Sequence, residues 1–344
     1  MAKFRPRLTP EEMDVVVQFR AIKQNCDEQN IDHTSVKHGW LKSKKTSLFF
    51  TNPAYVNEGE AKLLQLKDDI LQDLKTHSPI YPNITRTKST DGHLLVVDPA
   101  DIHIGKLATA FETGEDYNQQ IAVKRVHEGI QGILDKASGF NIEKILFIGG
   151  NDILHIDTPK RTTTGGTPQD TDGMWYDNFL TAKRLYVDIL EKLVAIADVH
   201  FTFNPSNHDY TNGFFLADVI QSWFRNSPNI TFDCSIAHRK GFIYGKNLIG
   251  TTHGDGAKLH DLPLLMAQEF PLEWARTKHR YVYTHHVHHK VAKDFIGVTV
   301  ESLRSPSGTD SWHHRNGYQH NPQAIEGFVH HPLHGQIARL THIF

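Results

Sequence analysis

From Gly92 onward the chain alternates short, strand-length runs rich in apolar residues with longer runs of helical period. "HLLVVD" reads as a buried strand. "YNQQIAVKRVHEGIQGILDKA" carries Val123, Val126, Ile130, Ile133 and Leu134 on one helical face, and "KILFIGG" is the next strand. A helix over "MWYDNFLTAKRLYVDILEKLVAIA" then feeds the strand "VHFTFN". This β-α-β-α-β order predicts an α/β core. The later part is richer in strands: "NITFD", the hairpin "GFIYGKNLIGTTH" and "RYVYTHH".

The first ninety residues follow another pattern. In "LTPEEMDVVVQFRAIKQN", Thr9 as N-cap, Pro10 at the first helical position and Glu12 in a capping box predict a helix to about Asn25. "SVKHGWLKSKKTSLFF" mixes lysines with aromatic rings. "NEGEAKLLQLKDDILQDLKTH" predicts a second helix with Leu63, Leu64, Leu66, Ile70, Leu71 and Leu74 on its apolar side. "SPIYPNITRTKSTDG" has the Pro, Ser and Thr content of a linker. The expected organisation is a small helical accessory domain over 1–80, a linker over 81–91, and a catalytic domain over 92–344 that ends in a cap segment.

Composition narrows this picture. A chain of 344 residues, 39% hydrophobic, can bury a full core. A formal charge of −2 excludes a uniformly basic nucleic-acid binder while leaving room for a local basic patch. No run approaches the roughly 20 apolar residues of a membrane helix, and "MAKFRPRLTPEEMD" has no apolar leader core. The expectation is a soluble cytoplasmic protein without a membrane partner. Cys26 and Cys234 give neither zinc spacing nor a disulfide framework. The anomaly is histidine, at 24 residues.

Ligands of α/β sheets gather beyond the carboxyl ends of the strands, and here those ends are rich in O and N donors. "HLLVVD" leads to Asp101 and His103, "KILFIGG" to Asp152, and "VHFTFN" to Asn207, His208 and Asp209. "NLIGTT" leads to His253, and "RYVYT" to "HHVHH", which contains His286 and His288. Any one of these alone is an ordinary turn former or surface residue. Together they make a mixed carboxylate, amide and imidazole set that suits Mn, Fe, Zn or Ni, and one too large for a single ion. Two ions sharing one carboxylate are the economical arrangement.

The series D-x-H, G-(N)-D, N-H-D, H-G-D and H-x-H, in this order over Gly92–Lys290, resembles the calcineurin-like metallophosphoesterase superfamily. The resemblance implies a four-layer α/β/β/α sandwich. It also implies one metal held by Asp101, His103 and His288, a second by Asn207, His253 and His286, and Asp152 bridging both. A bridging hydroxide would be the nucleophile. His208 would protonate the leaving oxygen or stabilise charge there, with Asp209 orienting it. Manganese is the first expectation for both divalent ions, with iron, zinc or nickel as alternatives. Period-two alternation would bring His286 and His288 to one side of an extended backbone, with His285 and His289 facing away. His285 stands where the family has glycine and reads as a packing residue, with a substrate contact as the alternative.

"GGNDILHID" lacks the Arg-Gly that grips phosphate in many phosphomonoesterases, and His155 makes it closer to the double-strand-break repair nucleases of the superfamily. Asn151, inserted before the bridging carboxylate, departs from the pattern, as does Ser206. The expected activity is therefore phosphodiester hydrolysis, with DNA as the partner and exonuclease or endonuclease action. A small-molecule phosphatase or cyclic-nucleotide phosphodiesterase, and a non-catalytic nucleic-acid-binding module, are the competing readings. Candidate substrate contacts are His155, Lys160 and Arg161 in the polar loop "TPKRTTTGGTPQDTDG", and Arg304, His313 and Arg315 in the cap segment "LRSPSGTDSWHHRNGYQHNP". Lys42, Lys44 and Lys45 are candidates for following a nucleic-acid backbone. The cap segment and "SVKHGWLKSK" are similar in flavour to metallophosphoesterases of bacteriophages, which extends the expected setting to an infected host's cytosol. The oligomeric state is left open, a homodimer included.

Overall fold

The computed structural model describes residues 9–42, 47–52, 55, 65, 79–87 and 90–344. The chain divides into two compact units, Met1–His77 and Ser78–Phe344.

In the first unit, α1 (Pro10–Glu28) starts where Thr9 and Pro10 place a helix start and continues past Asn25. A 3-10 turn follows, capped by Asp32, whose carboxylate accepts from Thr34 N at 2.9 Å. The lysine- and aromatic-rich stretch forms an antiparallel hairpin, β1 (His38–Lys42) and β2 (Ser47–Thr51). The unit is therefore helix plus hairpin among the described residues, where a helical domain was expected. Trp40 and Phe49 face each other across the hairpin with ring centroids 5.2 Å apart, and both are mostly exposed. The helix expected over 57–77 lies outside the described residues apart from Gln65, and so do Lys44 and Lys45.

The second unit runs β3 (His93–Asp98), α2 (Ala110–Thr113), α3 (Gln119–Ala137), β4 (Ile142–Gly150), α4 (Trp175–Ile196), β5 (Asp198–Asn204), α5 (Tyr210–Trp223), β6 (Ile230–Asp233) and β7 (Arg239–Tyr244). It continues with β8 (Asn247–Thr252), α6 (Leu262–Glu269), α7 (Pro271–Arg276), β9 (His279–Thr284), β10 (Val291–Phe295), β11 (Val298–Ser302), α8 (Ser311–Arg315), β12 (Ala324–His331) and β13 (Gly335–Ile343). One sheet has the order β13-β12-β3-β4-β5-β6 and the other β10-β11-β9-β8-β7. Strands β3 to β6 are parallel, as are β8, β9 and β11.

Apolar side chains sort into three layers of contact. Leu95, Val97, Ile145 and Phe147 meet α3, α4 and α5 on the outer face of the first sheet. Leu94, Val96, Leu146 and Ile148 face Ile249 and Tyr283 of the second sheet. Leu248, Val282 and Val300 pack on Leu262 and Met266 of α6. The result is the expected α/β/β/α sandwich. All six residues of β3 are buried, which is why Leu94–Val97 run apolar without alternation.

The stretch read as a linker lies along the second unit. Tyr81 donates its hydroxyl to Glu191 at 2.7 Å, Ile84 N donates to Asn229 Oδ1 at 2.9 Å, and Arg86 pairs with Asp198. The C-terminal part does more than cap. β12 lies antiparallel beside β3 and so completes the first sheet.

His330, on β12, is fully buried, with Nε2 3.0 Å from the Tyr283 hydroxyl and Nδ1 without a hydrogen-bond partner. Burial holds its pKa down to about 3. A histidine depressed in the fold binds its proton more readily when unfolded. Its contribution to stability is complete above pH 6.5 and is lost as pH falls from there toward the folded value. Replacing His330 with Leu should remove about one proton from the unfolding equilibrium. Urea unfolding between pH 6.5 and 4.5 should then lose about 1.4 kcal/mol per pH unit of its slope relative to wild type. An unchanged slope would mean that other groups carry the dependence.

Candidate metal centre

Strands β3, β4 and β5 of one sheet and β8 and β9 of the other deliver their carboxyl ends to the same edge of the sandwich, and the loops leaving them make the site. These loops do not continue the strand geometry. Asp101, His103, Asn151, Asp152, His286 and His288 all have left-handed backbones, with φ between 51° and 72°. Only three other non-glycine described residues do so. Each such residue costs on the order of 1–3 kcal/mol, so backbone strain is concentrated at this edge. Gly150 opens the turn into Asn151 at φ 79°, where a Cβ would lie 2.2 Å from the Asn204 carbonyl. Only glycine fits there.

The strand alternation expected for His286 and His288 is therefore replaced by two left-handed turns beyond the end of β9. The imidazoles still converge, because the turns rotate both toward the cleft. His289 is exposed.

Two adjoining ligand groups result. Asp101, His103 and His288 form one, with His288 Nε2 3.2 Å from His103 Nε2 and 3.5 Å from Asp101 Oδ1. Asp152, His253 and His286 form the other, and His253 Nε2 is 3.0 Å from Asn207 Oδ1. Asp152 stands between them. Its Oδ2 is 3.2 Å from His253 Nε2 and 4.0 Å from His103 Nε2.

The electrostatics suit cations. Burial holds the pKa values of His103, His286 and His288 below the ordinary histidine value, which keeps them neutral with a lone pair to give. Burial works against ionisation of Asp152, but the imidazoles of His253 and His208 outweigh it and hold the carboxyl well below its usual range. Burial lowers His253, yet Asp152 more than reverses this and pushes it up to about 9. A proton on His253 thus answers the negative charge that a divalent ion would answer. The donor set of carboxylates, an amide oxygen and neutral imidazoles fits Mn, Fe, Zn or Ni.

Supporting residues escaped the sequence reading. Asp98, fully buried at the end of β3, lies 3.0 Å from His285 Nε2, and His285 Nδ1 is 3.1 Å from the Thr252 carbonyl. Burial raises the Asp98 carboxyl and His285 works against that rise. His285 packs, as expected, but as half of a polar pair that ties the loop of His286 to β3 and β8. Ser206 Oγ accepts from Asp152 N at 2.8 Å and donates to Asp209 Oδ1 at 2.6 Å. The residue that departs from the motif thus ties Asp152 to Asp209. The only local signals for these were a carboxylate closing an apolar strand and a histidine in a glycine position.

Asp209 does not orient His208. Its carboxylate accepts from Ser206 Oγ and Leu154 N, and burial beside Asp152 pushes its pKa up to about 7. His208 Nδ1–H instead donates to the His155 carbonyl at 3.0 Å, while His208 N donates to Asp152 Oδ1 at 2.9 Å. The carbonyl fixes one tautomer and leaves Nε2 as the free nitrogen.

A cleft of about 840 Å³ opens over Asp152, His155, His208 and His288. His155 sits beside the first group as well as in the cleft wall, its Nδ1 3.3 Å from His103 Nδ1. His313 and Arg315 line the cleft. The other candidate contacts do not. Arg304 is paired with fully buried Glu326 at 2.6 Å. Lys160 and Arg161 are exposed and outside the lining, which the polar loop supplies from Thr163 to Asp170 instead.

No family model matches the sequence, and no curated protein does. Solved structures give faint likenesses. An archaeal phosphodiesterase is 9% identical at a TM-score of 0.35, with 73% of this chain and 99% of that one covered. The zinc complex of Vps29 from Entamoeba histolytica is 11% identical at 0.30, with 72% and 98% covered. A predicted phosphoesterase from Streptococcus pneumoniae is 12% identical at 0.27, with 74% and 98% covered. At such scores the chemistry of this chain rests on its own residues.

Proposed function

We propose that this protein is a binuclear-metal-dependent phosphoesterase that cleaves phosphodiester bonds, with a DNA strand as the first substrate to test. The carrying observation is the pair of adjoining groups Asp101–His103–His288 and Asp152–His253–His286, of which Asp152, His286 and His288 line an open cleft. When bound, two divalent ions polarise phosphoryl oxygens and activate water at neutral pH. Asp101, His103 and His288 would hold one ion, and Asn207, His253 and His286 the other. Asp152 would serve both.

The chain's own residues supply the rest. His208, fixed through Nδ1 by the His155 carbonyl, keeps Nε2 free to pass a proton to the departing oxygen. Asp98, His285, Ser206 and Asp209 hold the ligand loops in place. The phosphodiester preference is supported by the missing Arg-Gly phosphate grip after Asp152. DNA as partner is supported by the exposed Trp40–Phe49 pair of the accessory unit beside Lys42.

The test compares the manganese-loaded protein on bis-p-nitrophenyl phosphate, p-nitrophenyl phosphate, and labelled single- and double-stranded DNA. Diester and DNA turnover that is lost with chelator and regained with manganese is the expected result. Turnover confined to the monoester would replace the diesterase reading with a phosphatase one.

A further inference from the structure

The wall of the cleft that rises from α8 takes no part in holding metals. Trp312 and Tyr318 line it with 60% and 61% of their surfaces exposed, their rings 5.6 Å apart at 31°. Paired large rings left open to water beside a cleft mark a surface that meets a ligand. Arg315, also exposed, lines the same cleft.

This wall is anchored from below. Asp310 caps α8, accepting from His313 N at 2.8 Å and from His313 Nδ1 at 2.7 Å. The same carboxylate pairs at 2.9 Å with the ammonium of Lys106, a lysine only 1% exposed. The His313 ring stacks on His288 with centroids 5.0 Å apart at 17°, and Trp312 lies 5.1 Å from His313. Two ring-to-ring steps therefore lead from an exposed indole to a ligand of the metal centre. Through one sugar, a phosphate at the centre and the base attached to it span that kind of reach.

We propose that Trp312 and Tyr318 form a subsite for the base of an unpaired nucleotide whose phosphodiester lies at the metal centre, with Arg315 meeting a neighbouring phosphate. The inference rests on the phosphodiesterase reading and adds what that reading leaves open, namely which strand end or single strand is taken. Flat rings accept any base through its π face, and a guanidinium matches phosphate oxygens in a bidentate fork. A base inside a duplex has both faces covered by its neighbours, so it must be splayed out before it can stack on protein. The cleft volume is that of a small-ligand pocket, which suits one or two nucleotides.

The experiment compares two diesters with the same leaving group, thymidine 5′-(p-nitrophenyl) phosphate and methyl p-nitrophenyl phosphate. Binding of oligothymidylate to the metal-free protein is measured by calorimetry beside them. Trp312→Ala should raise KM for the thymidine diester by about 5- to 150-fold, the range for losing one base–aromatic stack. KM for the methyl diester and kcat for both should stay unchanged. Oligothymidylate affinity should fall by a similar factor, and Trp312→Phe should restore most of both effects. Equal losses on both diesters, or oligothymidylate affinity that ignores Trp312 and Tyr318, would overturn the subsite. If the wild type hydrolyses neither diester yet binds oligothymidylate through Trp312, the phosphodiesterase reading falls and the subsite stands.

Discussion

Asp152→Asn should bring turnover of every phosphodiester to background and reduce the bound metal from two ions to one or none. The carboxylate lies between the two imidazole groups, 3.2 Å from His253 Nε2 and 4.0 Å from His103 Nε2. Its charge is the one both cations would share. An amide in its place removes that charge and turns a donor toward one of the ligands, so two divalent ions would repel each other with nothing between them. Losing an outer partner of a ligand costs roughly 10- to 100-fold in affinity or activity, and losing the bridging ligand should exceed that. Metal analysis by mass spectrometry alongside bis-p-nitrophenyl phosphate kinetics checks both parts. A variant with two ions and full rate would remove Asp152 from the centre.

The second large effect separates proton transfer from metal binding. His208→Ala should keep both ions and its fold, yet lose about 10²–10⁴ in kcat on DNA, the range for a general acid. The backbone bond from His208 N to Asp152 Oδ1 survives the substitution, so the Asp152 carboxylate stays placed. p-Nitrophenolate departs without a proton, and the deficit on bis-p-nitrophenyl phosphate should accordingly be small. Equal deficits on the two substrates would assign His208 to charge stabilisation instead. His155→Ala would be a poor substitute for this test, because His155 also meets His103 at 3.3 Å.

Much of the second unit was legible because its physics is local. β3 and the second half of β4 are buried and so show the apolar runs Leu94–Val97 and Ile145–Ile148, and the donors that follow them stand at the strand ends where ligands collect. What local pattern could not supply was partnership across the chain. Asp98 and His285 are 187 residues apart, and nothing near either announces the other. Ser206 stands out in the sequence only as a departure from the motif, and the fold places its hydroxyl under Asp152 N. The route by which His286 and His288 converge was also hidden, since left-handed φ values at non-glycine residues are sustained by tertiary bonds and leave no periodicity. Arg304 illustrates the converse error: a cation near a motif reads as a phosphate contact until its buried glutamate appears.

The hydrogen bonds that hold the ligand loops have a kinetic consequence. His286 N donates to Asp101 at 3.1 Å, Asp152 N to Ser206, and His208 N to Asp152, while Asp98 and His285 fasten the same loops from behind. Each of these bonds joins one protein group to another. Protein groups thus hold the loops by themselves, so an arriving ion need not order a loop to bind. Loading should then be a single fast step with no slow conformational phase, and the empty and filled proteins should differ little in hydrogen exchange at this edge. Ions that enter a ready site so easily can also be exchanged for one another. Their identity in a cell would follow from the supply of free metal and from ligand chemistry, in the order of intrinsic divalent affinities, and would owe little to the folding of the chain around any particular one.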